Sequence, residues 1–147
     1  MEIEQLAKPA QEWCPHCAPR QGCTIYQSRP AECVDFSCLW LLNDRLDERW
    51  KPSKAKIVLT TSEDGIEVRC DPSMPDAWRR APYEAQIREW ARAGEANDVT
   101  VIVIISRRVI LVGADQNFDL GELGADERIV RELEGTRVTG ARVVKAD

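Results

Sequence analysis

Five cysteines and the single histidine fall early in the 147-residue chain, as Cys14-x2-Cys17-x5-Cys23-x9-Cys33-x4-Cys38 with His16 inside the first pair. Cys70 stands apart. Thiolates bind zinc and iron, and two intervening residues let both sulfurs of a pair reach one ion at the roughly 2.3 Å that zinc–sulfur bonds require. Cys14-Pro15-His16-Cys17 is such a chelating turn. Pro15 removes only its own N–H, so the later amides of the turn stay free to donate to sulfur. Gly22, just before Cys23, lets the backbone pass close to a metal. When both flanking sulfurs bind, the His16 ring points away, which reads as an exposed group or one bonded to a ligand. Disulfides are disfavoured in a reducing cytosol, and a disulfide scaffold would place cysteines beyond Cys70, where the chain has none.

Four ligands complete a tetrahedral site, and five clustered thiols are present. The run Ala31 to Leu42 holds no Gly or Pro and ends in Leu39-Trp40-Leu41-Leu42, which predicts one helix of about three turns with a wide apolar face. On that helix Cys33 and Cys38 lie about 140° apart around the axis, so both face a shared ion only if the helix starts late or bends. Geometry favours Cys14, Cys17, Cys23 and Cys33, leaving Cys38 as a small buried hydrophobe. Cys70 shares a strand face with Ile66 and Val68 and reads as a packed thiol.

The elements that must hold this cluster follow from patterning. Four prolines (Pro9, Pro15, Pro19, Pro30) break the first 42 residues into loops. Asn43 to Lys54 is a polar connection with a helical turn around Asp47 to Trp50. Ile57 to Leu59 and Ile66 to Cys70, separated by Glu63-Asp64-Gly65, predict a hairpin. Pro82 to Ala93 predicts an amphipathic helix carrying Tyr83, Ile87, Trp90 and Ala91 on one stripe, with Gly94 as its stop. Val99 to Ile105, apolar on both faces, predicts a central strand, followed by Val109 to Val112. Arg128 to Leu133 and Val138 to Val144 add strand-like pieces. The expectation is an α+β single domain, residues 1–147. In it a metal-stapled, Cys-rich segment and helix (1–42) pack on a mostly antiparallel, strand-rich body (56–147) with one further amphipathic helix.

At 44% hydrophobic and 31% charged residues, the composition suits a globular chain, and no apolar run reaches the roughly 20 residues of a membrane helix. The first ten residues lack a signal-peptide core, so a cytoplasmic location is expected. A net charge of −5 gives no overall attraction to nucleic acid or to anionic membranes. The arginine pairs Arg79–Arg80 and Arg107–Arg108 read as solvated surface.

Trp13-Cys14-Pro15-His16-Cys17, Gly22-Cys23-Thr24-Ile25-Tyr26, Arg29-Pro30, Cys33, Phe36 and Cys38-Leu39-Trp40-Leu41 resemble the bacterial YkgJ-type cysteine-cluster proteins, zinc- or iron-chelating domains sometimes labelled iron–sulfur oxidoreductases. The resemblance covers about residues 13–41. It implies Cys14, Cys17, Cys23, Cys33 and Cys38 as metal ligands, with Tyr26, Arg29 and Pro30 shaping the loop, and it implies no settled activity. Members of that family usually carry a further CxxCC group upstream, and residues 1–12 hold no cysteine. Either the start lies further upstream or this chain keeps a reduced site. Arg29 has two readings: a guanidinium offsetting thiolate charge, or an exposed side chain beside a helix-starting Pro30.

Three function classes follow. The first is a metal-chelating protein in which zinc is mainly structural. The second is an iron–sulfur electron-transfer or redox-sensing protein, disfavoured because ferredoxin spacings are absent. The third is a metal-stapled module presenting Trp13, Trp40, Trp50, Trp78 or Trp90 to a protein partner. Catalysis is not supported: there is no phosphate-cradling glycine loop, no HExxH, and no histidine outside the cysteine turn.

Overall fold

A computed structural model describes residues 2–9, 12–19, 21–124 and 126–146. The chain divides into two compact units, Met1–Ser37 and Cys38–Asp147.

In the first unit the proline-broken sequence forms only short elements. Strands β1 (Cys17–Ala18) and β2 (Gly22–Cys23) make a two-stranded antiparallel ladder. A 3₁₀ turn, Tyr26–Ser28, precedes α1 (Ala31–Asp35), which Pro30 opens from an extended conformation. The expected three-turn helix does not form. The chain leaves α1 at Phe36 (φ −66°, ψ 119°) and is extended again at Cys38 (φ −82°, ψ 160°), where the second unit begins. Lack of Gly and Pro is not enough to carry the helix through. Cys33-Val34-Asp35-Phe36-Ser37-Cys38 contains none of the strong helix formers, so no local preference spans it.

The second unit opens with α2 (Leu39–Leu42). A 3₁₀ turn, Glu48–Trp50, follows, capped by the Asp47 carboxylate accepting from the Arg49 amide at 2.8 Å. Then come α3 (Pro52–Ala55) and strands β3 (Ile57–Ser62) and β4 (Gly65–Cys70). Helix α4 (Tyr83–Glu95) leads to β5 (Thr100–Ile105), β6 (Arg108–Val112) and β7 (Asn117–Glu122). These strands form one sheet in the order β3-β4-β5-β6-β7, antiparallel except for the β4–β5 pair, whose connection includes α4. Strands β8 (Glu127–Glu134) and β9 (Arg137–Lys145) form a separate antiparallel hairpin, with β9 against β7. The fold class is α+β, its sheet mostly antiparallel and its helices few.

Alternation explains the core. Leu59, Val68, Val101, Val103, Ile110 and Val112 turn one sheet face toward the stripe Tyr83, Ile87 and Ala91 of α4, with Trp50 and Trp78 filling the same cluster. Ile104, Val109 and Leu111 are buried outside that cluster, so β5 and β6 are covered on both faces, as central strands require. Gly94 is not a helix stop. It lies buried inside α4, where a Cβ would come within 2.5 Å of the Val99 carbonyl, so it is needed for close approach. Strand β7 has no counterpart in the sequence reading; Gln116-Asn117-Phe118-Asp119 is too polar to announce it.

Among the described residues, no helix is long and apolar enough to cross a membrane.

Candidate metal centre

The Cys14-x-x-Cys17 segment closes as a turn, the Cys17 amide donating to the Cys14 carbonyl at 2.9 Å. Pro15 sits at the second position of this turn, where its fixed φ suits the geometry. Beyond the turn, Cys17 stands directly opposite Cys23 in the ladder, and Ala18 opposite Gly22. Gly22 adopts φ +89° with nothing within 4 Å of a would-be Cβ, so the glycine serves the backbone path alone. One turn and one small hairpin therefore gather Cys14, Cys17 and Cys23 along the same short backbone.

His16 contributes through its main chain: its carbonyl accepts from the Thr24 amide at 2.9 Å and from Thr24 Oγ1 at 3.2 Å, extending the ladder by one pair. Cys33 lies on α1, its amide donating to the Pro30 carbonyl at 3.0 Å. Arg29 turns back on its own loop. Its Nη1 donates to the Tyr26 carbonyl at 2.7 Å, and the guanidinium lies 3.9 Å from the centre of the Tyr26 ring. Arg29, Tyr26 and Pro30 thus shape the segment between Cys23 and Cys33.

All six cysteines are free thiols. Cys17 and Cys23 are exposed, Cys14 and Cys33 half-buried, Cys38 and Cys70 buried. Among the described residues, no three or more His, Cys, Asp or Glu side chains gather into a group that could hold a metal ion. The backbone of the first unit assembles three cysteines in one turn-and-hairpin, while no three of the described thiols gather around one point. Cys38 begins the second unit, and its carbonyl accepts from the Leu41 and Leu42 amides of α2. Because α1 and α2 are separate helices, no common helix axis sets Cys33 against Cys38; unit membership and burial distinguish them instead. Cys70 packs in the sheet core, where burial pushes its thiol up to about 11 and a backbone hydrogen bond from Trp78 offsets only part of that.

The tryptophans divide as core residues do. Trp50 and Trp78 are buried, Trp40 and Trp90 pack partly buried against the core, and Trp13 is exposed. Both arginine pairs are engaged locally: Arg80 with the Ala55 carbonyl, Arg79 with Asp76, Arg107 with Glu122 and Arg108 with Asp119. A cleft of about 380 Å³ in the second unit is lined by Arg45, Leu46, Trp50, Ile66, Gln86 and Trp90 among others, and none of the cysteines lines it. Pro19 signals a turn, but the register that sets Cys17 against Cys23 is not legible in the sequence.

No protein-family model, no curated protein and no solved structure matches the chain.

Proposed function

We propose that the first unit is a metal-chelating cysteine module of the kind the YkgJ-type resemblance implies, its metal mainly structural and zinc preferred over an iron–sulfur cluster. The ligands are Cys14, Cys17, Cys23 and Cys33, with Cys38 the alternative fourth. The observation that carries this reading is a mismatch between order and core. The first unit holds four free thiols, yet its only buried described residues are Ile3 and Pro30. Apolar burial cannot order so short a unit; chains below about 40 residues usually need disulfides, a metal or oligomerisation to fold. The donor set fits the group. Four thiolates complete a closed tetrahedral site, and zinc in such a site is redox-silent and contributes folding energy directly. The expected reducing cytoplasm keeps the thiols available for it.

The test is metal content and colour after purification without oxygen. Colourless protein with close to one zinc per chain supports the reading. Brown protein with iron and acid-labile sulfide replaces zinc by a cluster, and metal-free protein with an ordered first unit rejects chelation. Separate Cys33→Ser and Cys38→Ser variants decide the fourth ligand. Loss of metal from Cys33→Ser alone is expected; loss from Cys38→Ser alone exchanges the two residues.

A further inference from the structure

We propose that Cys17 and Cys23 form a reversible dithiol–disulfide pair, an oxidative modification site on the first unit. Cys17 and Cys23 are direct cross-strand partners, and the neighbouring pair His16–Thr24 is a hydrogen-bonded one, since the Thr24 amide donates to the His16 carbonyl. Antiparallel ladders alternate, so Cys17 and Cys23 occupy a non-hydrogen-bonded pair, where Cα atoms stand about 4.5 Å apart and side chains come closest. A disulfide spans Cα separations of about 4.4–6.8 Å, so the backbone need not move to make one. Exposure singles out the same two residues. Cys17 and Cys23 are the exposed thiols, whereas Cys14 and Cys33 are half-buried and Cys38 and Cys70 buried.

The oxidant is hydrogen peroxide. One thiolate attacks a peroxide oxygen; the S–O bond forms, the O–O bond breaks, and the departing oxygen takes a proton and leaves as water. The second thiolate attacks the resulting sulfenic sulfur; the S–S bond forms, the S–O bond breaks, and the released hydroxide takes a proton as a second water. Two thiols have then lost two electrons and two protons to one peroxide. A dithiol reductant reverses the change by exchange. The disulfide stands on the register and goes beyond the chelation reading. Only its consequence for zinc rests on that reading: the disulfide removes two of four ligands, so oxidation expels the ion.

The test uses the full chain, purified without oxygen, with zinc counted before and after titration with hydrogen peroxide. Remaining thiols are alkylated and the peptides mapped. The expected product is lighter by two hydrogens, carries a Cys17–Cys23 link, has lost its zinc, and returns to the starting mass with dithiothreitol. Cys23→Ser should instead accumulate sulfinic acid at Cys17. A Cys14–Cys17 link in its place, or both hairpin thiols still free after peroxide, overturns the proposal. So does the same Cys17–Cys23 selectivity in urea, because chain proximity rather than the ladder would then choose the pair. The two ideas fail separately: absence of zinc before peroxide counts against chelation, and absence of the link after it counts against the dithiol pair.

Discussion

In Cys38–Asp147 the side chains of four strands (β3 to β6), α3, α4 and the turns around Trp50 and Trp78 close over one apolar cluster, whereas in Met1–Ser37 Trp13, Tyr26, Val34 and Phe36 stand open to solvent. The two stretches therefore draw their order from different sources. The second unit is held by burial, at roughly 25 cal/mol per Å² of apolar surface, distributed over many residues. The first has backbone turns, a two-residue ladder and an arginine folded onto its own loop, none of which outweighs the chain entropy of more than thirty residues. What it has in place of a core is thiols.

The sharpest way to break that contrast is to remove metal. Chelation should abolish hydrogen-exchange protection at the Thr24 and Cys17 amides while leaving those of β4, β5 and β6 untouched. Structural zinc sites are worth an apparent free energy of about 10–16 kcal/mol, so on the proposed chelation metal removal would take away the largest contribution to the order of this unit. Unchanged protection at Thr24 in metal-free protein would show that the first unit holds itself together by other means.

Next in size is a cavity in the core. Ile87 is fully buried between α4 and the sheet, and Ile87→Ala should cost about 3 kcal/mol in urea unfolding of the second unit. Val34→Ala, at a side chain 54% exposed in the first unit, should cost less than about 0.5 kcal/mol. Comparable losses at the two positions would erase the distinction between a unit held by burial and one that is not.

The same distinction explains what the sequence disclosed. Ile57 to Leu59, Ile66 to Cys70 and Val99 to Ile105 announce their strands because alternation and doubly apolar runs record which faces are covered. The amphipathic stripe of α4 is legible for the same reason, though Gly94 is not: its role depends on Val99 arriving beside it, a tertiary event with no local trace. In the cysteine segment there is no burial pattern to read. The apolar content of Ala31 to Leu42 suggests one helical face, yet the segment is two short helices separated by extended backbone. The residue types of the site are visible there as spacing; the pairing of Cys17 with Cys23 is not, because a ladder of two residues leaves no periodicity.

Cys70 supplies a smaller effect confined to the second unit. Its thiol titrates near 9.0 in the unfolded chain and near 11 when buried, so between those values the unfolded chain has lost a proton that the folded one keeps. Stability therefore falls as pH rises from about 9 to 11. The loss attributable to this group is about 2 kcal/mol at the upper end, since a tenfold change in an ionisation constant corresponds to about 1.4 kcal/mol. Urea titrations at both ends of that window, compared with Cys70→Ala, isolate it from the other groups that ionise there. An identical pH dependence in the variant would mean that the thiol is not desolvated.

The smallest change should raise stability. Lys56 closes α3 in the left-handed conformation (φ 61°, ψ 29°), its amide donating to the Pro52 carbonyl at 3.0 Å and its carbonyl accepting from the Asp71 amide at 2.9 Å. A side chain with a Cβ costs about 1–2 kcal/mol there, and glycine does not, while both backbone hydrogen bonds survive the substitution. The greater freedom of glycine in the unfolded chain cancels part of the gain. Lys56→Gly should therefore stabilise the second unit by about 0.5 kcal/mol and leave zinc content unchanged, because the residue lies outside the cysteine module. Urea unfolding and metal analysis on the same preparation check both halves. A loss of zinc would show that order in the first unit depends on the second, which the separate sources of order proposed for them do not allow.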